Sequence, residues 1–160
     1  MRRSLPLGFT LIEVLICLAV LGTVAGFGLT FARPANDLRA ATAFKSLLLW
    51  ARAEALWQGS SVSVRELPLG IGYEVRRLEQ GSDDCGSGEV IGRLLLAEHP
   101  GVRIATGFGA REGMLWLPTG GGRSCDGGGV ISTTIVLQSP LGASRVVVSS
   151  LGRVRVERVP

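Results

Sequence analysis

Residues 8–32 read GFTLIEVLICLAVLGTVAGFGLTFA, preceded by the short basic stretch MRRSLPL. From Phe9 to Ala32 the only charge is Glu13. As a helix this run spans roughly 36 Å, enough to cross a hydrocarbon core about 30 Å thick. Arg2 and Arg3 hold the N-terminus on the cytoplasmic side, so the chain leaves the membrane at Arg33. An ordinary secretory signal has a shorter apolar core ending in small residues such as A-x-A. Here the run is too long and Ala25-Gly26 is a poor cleavage site. A carboxylate near the start of an apolar run also costs several kcal/mol unless it is paired or functional.

Gly8-Phe9-Thr10-Leu11-Ile12-Glu13-Val14-Leu15 resembles the class III signal of type IV pilins and type II secretion pseudopilins. The resemblance implies cleavage by a prepilin peptidase between Gly8 and Phe9 and N-methylation of the new Phe9 amine. The helix then stays as an inner-membrane anchor and later joins other pilins or pseudopilins in a filament. Glu13 becomes the fifth mature residue, one helical turn from the new α-ammonium, and pairing of the two charges offsets much of the burial cost of each. Many pilins carry a proline in mid-helix. In this chain the nearest is Pro34, and Gly22, Gly26 and Gly28 are the candidates for flexibility instead.

The helical pattern resumes after Arg33-Pro34, with Asn36 or Asp37 as a cap. Leu38, Ala41, Phe44, Leu48, Ala51 and Ala55 recur every three or four residues, predicting one face of an amphipathic helix packed on a sheet. Trp50 and Trp57 share another stripe, read as rim packing against loops in preference to a subunit contact. Gly59 ends the helix. Leu49-Trp50-Ala51-Arg52-Ala53-Glu54-Ala55-Leu56 followed by Val62-Ser63-Val64 is similar to the GspH/FimT subgroup of minor pilins. So are Met114-Leu115-Trp116-Leu117-Pro118-Thr119-Gly120 and the ending Leu151-Gly152-Arg153-Val154-Arg155-Val156. Arg52 and Glu54 are too close in sequence to pair across a helix, so each is expected to hold the helix against the first strands or a neighbouring subunit.

Beyond Gly59 the periodicity is that of strands: 62–66, 72–78, 90–97, 102–105, 114–117, 130–137, 144–149 and 153–159, separated by Gly/Pro/Ser turns. The run Arg93-Leu94-Leu95-Leu96 suggests burial on both faces. The expected fold is α+β: a long N-terminal helix, transmembrane in its first half, packed on an antiparallel domain of two sheets. The expected organisation is a cleaved leader (1–8), a transmembrane and assembly helix (9–32), its amphipathic continuation (33–58) and a β-rich domain (59–160). That domain would lie in the periplasm or, in a filament, reach the cell surface.

Of the three cysteines, Cys17 lies in the apolar run, whereas Cys85 and Cys125 lie in the loops DDCGSGE and RSCDGGG. In an oxidising compartment the latter two form a natural disulfide, closing a loop of roughly 40 residues that contributes about 3–4 kcal/mol. Free thiols are one alternative. A metal site with Asp83, Asp84 and Asp126 is another, weakened by the lack of a nearby histidine or a CxxC spacing.

Hydrophobic residues make up 46% of the 160, which excludes a disordered chain. The net charge of +4 includes Arg2 and Arg3 of the leader, so global charge does not imply nucleic acid. His99 reads as a turn residue, and the Gly-rich stretches lack a phosphate-loop pattern. No catalytic set, metal or cofactor is indicated. Three functions compete on this fold: a minor pilin serving DNA uptake in natural transformation, a minor pseudopilin of type II protein secretion, or a structural pilin-like subunit without a ligand of its own. The tail bears on the choice. Arg153 and Arg155 project to one face roughly 6.6 Å apart along a strand, close to the spacing of phosphates on a DNA backbone. Arg145 and Arg158 add charge against the single Glu157. The Gly-Arg-x-Arg ending also resembles an element linked to DNA binding in FimT-type pilins. A solvated strand face and a protein partner are the alternatives.

Overall fold

The computed structural model describes residues 11–31, 36–109, 112–127 and 129–159, with the side chains of 24–31 excepted. The chain divides into two compact units, Met1–Pro34 and Ala35–Pro160. In the first, helix α1 runs from Leu11 to Phe31 with Glu13 in its first turn. Leu11, Ile12, Leu15, Ile16, Leu18 and Leu21 are all exposed. The Thr23 hydroxyl returns to the Val20 carbonyl at 2.8 Å, so the apolar helix absorbs its own polar group. Among the described residues no helix is long and apolar enough to cross a membrane, and described side chains of α1 extend only from Leu11 to Thr23.

The second unit is built around helix α2, Asn36–Gln58, which buries Asp37, Ala40, Ala41, Phe44, Leu48, Ala51 and Ala55. Four alanines on this face let the helix approach the sheets closely. Leu38, expected on the face, is only half-buried, and Ala40 lies in the core. The helix stops at Gly59, whose φ of 65° puts it in the left-handed region that favours glycine, with its N–H donating to the Ala55 carbonyl at 3.1 Å.

Nine strands follow: β1 Val62–Glu66, β2 Gly72–Arg77, β3 Glu89–Leu95, β4 Arg103–Thr106, β5 Gly113–Trp116, β6 Gly122–Ser124, β7 Thr133–Ser139, β8 Gly142–Val148 and β9 Val154–Val159. They form two antiparallel sheets, ordered β3-β2-β1-β5-β6 and β4-β7-β8-β9. Strand β6 escaped the sequence reading because three residues, one of them glycine, carry no alternation. The core between α2 and the sheets takes Val62 and Val64 from β1, Tyr73 and Val75 from β2, and Met114 and Trp116 from β5. Ile135 and Leu137 come from β7, and Val146 and Val148 from β8. Phe44 stacks on Tyr73 with ring centroids 4.0 Å apart, and Phe108 meets both rings edge-on. Burial, then the nearby Glu66 carboxylate, push the Tyr73 phenol well above its ordinary pKa.

Two expectations are corrected. The run Arg93-Leu94-Leu95-Leu96 is not covered on both faces: β3 is the edge strand of its sheet, and Leu94 is buried while Leu95 is exposed. Nor do the two tryptophans share an environment. Trp50 lies against Gly92 of β3, where a Cβ would come within 2.9 Å of its ring. Trp57 is 86% exposed and packs on no rim. It shares the outward side of α2 with exposed Leu49, Ala53 and Leu56, since the core-facing residues occupy the opposite side.

Candidate functional site

The outer face of the five-stranded sheet is covered. Cys85 and Cys125 are joined in a disulfide across a sequence separation of 40. Cys85 packs with Leu78 and Leu115 in a small second core, flanked by Leu117. The 79–89 loop is fastened further by the Ser63 hydroxyl donating to the Cys85 carbonyl at 2.9 Å and by Arg76 donating to the Gly86 carbonyl at 3.1 Å. Charges on this sheet are matched. Buried Glu74 accepts from Arg76 at 2.5 Å and from Arg93 at 2.9 Å, and Arg77 pairs with Glu54 of α2 at 2.8 Å. Burial raises the Glu74 pKa, but the hydrogen bonds and charges of Arg76 and Arg93 outweigh it and hold the carboxyl below its ordinary value.

The three stretches that resemble minor pilins meet at one point. The Arg52 guanidinium lies 5.5 Å from the Trp116 ring centroid and donates to the Gly152 carbonyl at 3.1 Å. Gly152 has φ of 73°, and a Cβ there would sit 3.1 Å from the Trp116 ring and 3.4 Å from the Arg52 guanidinium. The glycine of Gly-Arg-x-Arg therefore has a structural reason: it forms the turn beneath Arg52 that launches β9. As for Glu54, its pairing with β2 is the helix-to-strand contact expected of it.

The outer face of the four-stranded sheet is open and basic. Arg153 and Arg155 are both exposed on either side of buried Val154, so they share this face. Strand pairing sets Arg145 opposite Glu157 and Val147 opposite Arg155. Arg103 reaches across from β4 to the Gln138 amide oxygen at 3.0 Å. The sequence grouped four tail arginines against one glutamate, and the structure divides them. Arg158 pairs with Ser144 and belongs to the inward side of the sheet, at its rim. Glu157 is shared between Arg145 at 2.7 Å and Arg155 at 3.8 Å. Arg153 has no ion-pair partner among the described residues.

Asp37 does more than sequence reading assigned to it. It is 3% exposed, and its carboxylate accepts the hydroxyls of Ser139 at 2.9 Å and Ser144 at 2.8 Å. Asp37 thus pins the start of α2 to the β7–β8 hairpin, and the Asn36 amide, donating to the Pro100 carbonyl at 3.0 Å, pins it to the turn between β3 and β4. Two serines more than a hundred residues away left no local signal. Of the remaining site residues, Gly8 and Phe9 lie outside the described residues, Glu13 is exposed on α1, and Cys17 is a free exposed thiol.

Residues 40–152 match the model of the family described as type II transport protein GspH, and residues 7–29 match that of the prokaryotic N-terminal methylation motif. Among solved structures the chain is similar to the type IV minor pilin FimU of Pseudomonas aeruginosa, with a TM-score of 0.58 and 18% identity over 79% of this chain and 92% of that one. It is also similar to the minor pseudopilin EpsH of the type 2 secretion system of Vibrio cholerae, with a TM-score of 0.54 and 16% identity over 77% of this chain and 97% of that one. At these identities the likeness is one of fold, and it is the helix-on-two-sheets fold expected from the sequence. No curated protein sequence matches the chain.

Proposed function

This chain belongs to the family of type II transport protein GspH, and from that membership we propose that it is a minor pilin-like subunit of a pilus machinery that contacts DNA through its four-stranded sheet. Members of this family carrying the methylation motif are processed by prepilin peptidase and assemble with other pilins or pseudopilins. In our reading the cut falls between Gly8 and Phe9, α1 is the inner-membrane anchor, and Glu13 pairs with the methylated Phe9 amine during assembly. The domain lies outside the cytoplasm, and the chain carries out no catalysis and needs no cofactor. Glu13→Val would then be cleaved normally yet stay out of filaments, as fractionation and N-terminal mass spectrometry would show.

The observation behind the DNA contact is the exposed face bearing Arg103, Arg145, Arg153 and Arg155 against Glu157 alone. Two same-face arginines suit successive phosphates of one strand. Phosphate contacts carry no sequence information, so binding is sequence-independent and falls steeply with salt. The test measures DNA affinity of the compact 35–160 unit against salt concentration. Replacing Arg153 and Arg155 by Gln should weaken binding and reduce the log–log salt slope by about 2. Equal binding by the double variant would remove these residues from the site. A second reading, a minor pseudopilin of type II secretion, is favoured by the description of the matching family. Absence of DNA binding at low salt by the unaltered unit would put that reading first.

A further inference from the structure

Several turns converge at the end of the domain where α2 begins. Asn36 bonds to Pro100, Asp37 to the β7–β8 hairpin, and Pro140 of that hairpin lies against Gly101. On the other side, the Leu96 N–H donates to the Ile71 carbonyl at 2.9 Å, and Gly70 adjoins Ile104. The β1–β2 tip, the turn after β3 and the β7–β8 turn thus form one end surface. It bears Leu69 at 99% exposure, Leu141 at 63% and Ile71 at 53%.

Leu69 is the most informative of these. Its φ of 61° and ψ of 13° place a non-glycine residue in the left-handed region, which glycine or asparagine enters more readily. A side chain that is almost wholly exposed gives the fold no packing in return for that strain. Strained backbone that presents an exposed apolar side chain is a mark of a contact made outside the fold. Arg39 in the first turn of α2, Arg103 on β4 and Arg158 near the end of β9 are exposed at the same end. None of the three is paired with a carboxylate among the described residues, and Glu98 is the exposed acid of the turn after β3.

We propose that this end of the domain docks on an anionic membrane surface, with Leu69, Ile71 and Leu141 entering the headgroup region and Arg39, Arg103 and Arg158 meeting lipid phosphates. The proposal rests on reading α1 as a membrane anchor. Only residues 32–35 separate α1 from α2, and a linker of that length spans at most about 18 Å. An anchored α1 therefore holds the start of α2, and the turns bonded to it, near the bilayer. Apolar loop tips beside basic side chains are the chemistry of an interfacial contact: the leucines enter the headgroup–acyl boundary while guanidinium groups stay with the phosphates. Before assembly the domain would rest on the membrane by this end, occupying Arg103 but leaving Arg145, Arg153 and Arg155 of the four-stranded sheet uncovered.

The test uses the full chain with Cys17→Ser and its disulfide intact, reconstituted in phosphatidylcholine–phosphatidylglycerol vesicles. Single cysteines carry an environment-sensitive fluorophore at Leu69→Cys, Leu141→Cys, the opposite-end Leu151→Cys, or Val20→Cys within α1. One quencher is attached to the lipid near the headgroup, to read positions 69, 141 and 151, and in separate vesicles another is attached deep on the acyl chain, to read position 20, which lies near mid-bilayer. Quenching at positions 69 and 141 should exceed that at 151 about threefold, and Arg103→Gln with Arg158→Gln should reduce it. Quenching at position 20 without quenching at 69 and 141 overturns the docking and leaves the anchor intact. No quenching at position 20 overturns the anchor reading and the proposal with it. A spectral shift at 69 that grows with protein density, without lipid quenching, assigns the surface to a second copy and also overturns the proposal.

Discussion

The two sheets share one helix and differ on their outer faces. On the five-stranded sheet, the disulfide loop lies over Ser63 and Leu115, and Glu74 binds two arginines. On the four-stranded sheet, no loop is fastened over β8 and β9 among the described residues, and Glu157 is shared between two arginines while Arg153 has no acidic partner. One face has its arginines paired with carboxylates of the same chain. The other leaves positive charge for something else to match. Arginine content alone does not separate them, because both are rich in it. The difference lies in the carboxylates and carbonyls that sit within reach.

The largest blow to this contrast should come from the covered face. Cys85→Ser with Cys125→Ser should cost about 3–4 kcal/mol, read as a fall in the denaturation midpoint, and should expose the 79–89 loop to hydrogen exchange. Unchanged protection there would mean the loop is held without the bridge. Next comes Arg52→Ala, which removes the cation–π contact with Trp116 and the bond to Gly152, at a cost of about 2 kcal/mol. Because Arg52 sits over the turn that launches β9, its loss should also weaken the proposed DNA contact without touching the arginine face.

Glu74→Gln should cost about 1–2 kcal/mol, moderated because both arginines reach solvent. Its carboxyl is held below the ordinary value in the folded state. That stabilisation is therefore complete above the unfolded pKa, near 4.3, and is lost as pH falls through the lower folded pKa. The variant's acid denaturation curve should lack this component. The smallest effect belongs to the open face. Arg153→Gln with Arg155→Gln should change stability by less than about 0.5 kcal/mol in a thermal melt, and a larger loss would show that these arginines support the fold.

Much of this contrast was legible before the structure. Periodicity located α2 and eight of the nine strands, because spacings of 3.6 and 2 record which side chains face a core. The two loop cysteines were paired correctly, and the same-face placement of Arg153 and Arg155 followed from strand geometry. Readings that needed a neighbour from elsewhere in the chain failed. The Leu94-Leu95 run looked doubly buried because sequence does not say that β3 is an edge. Trp57 looked like rim packing because nothing local says that no loop reaches it. The bonds of Asp37 to Ser139 and Ser144 left no trace in the local pattern, because those serines lie beyond residue 138.

By itself the sequence determined the apolar helix with its single carboxylate, the membership in a pilin-like family and the helix-on-sheets architecture. These follow from composition and short-range order, which the chain carries locally. Only the tertiary structure decided which of its arginines are matched within the chain. It also decided why Gly152 must be glycine beneath Arg52 and Trp116, and which turns gather around the start of α2. Those are long-range pairings, and their energies depend on distances that exist only once the strands are in register.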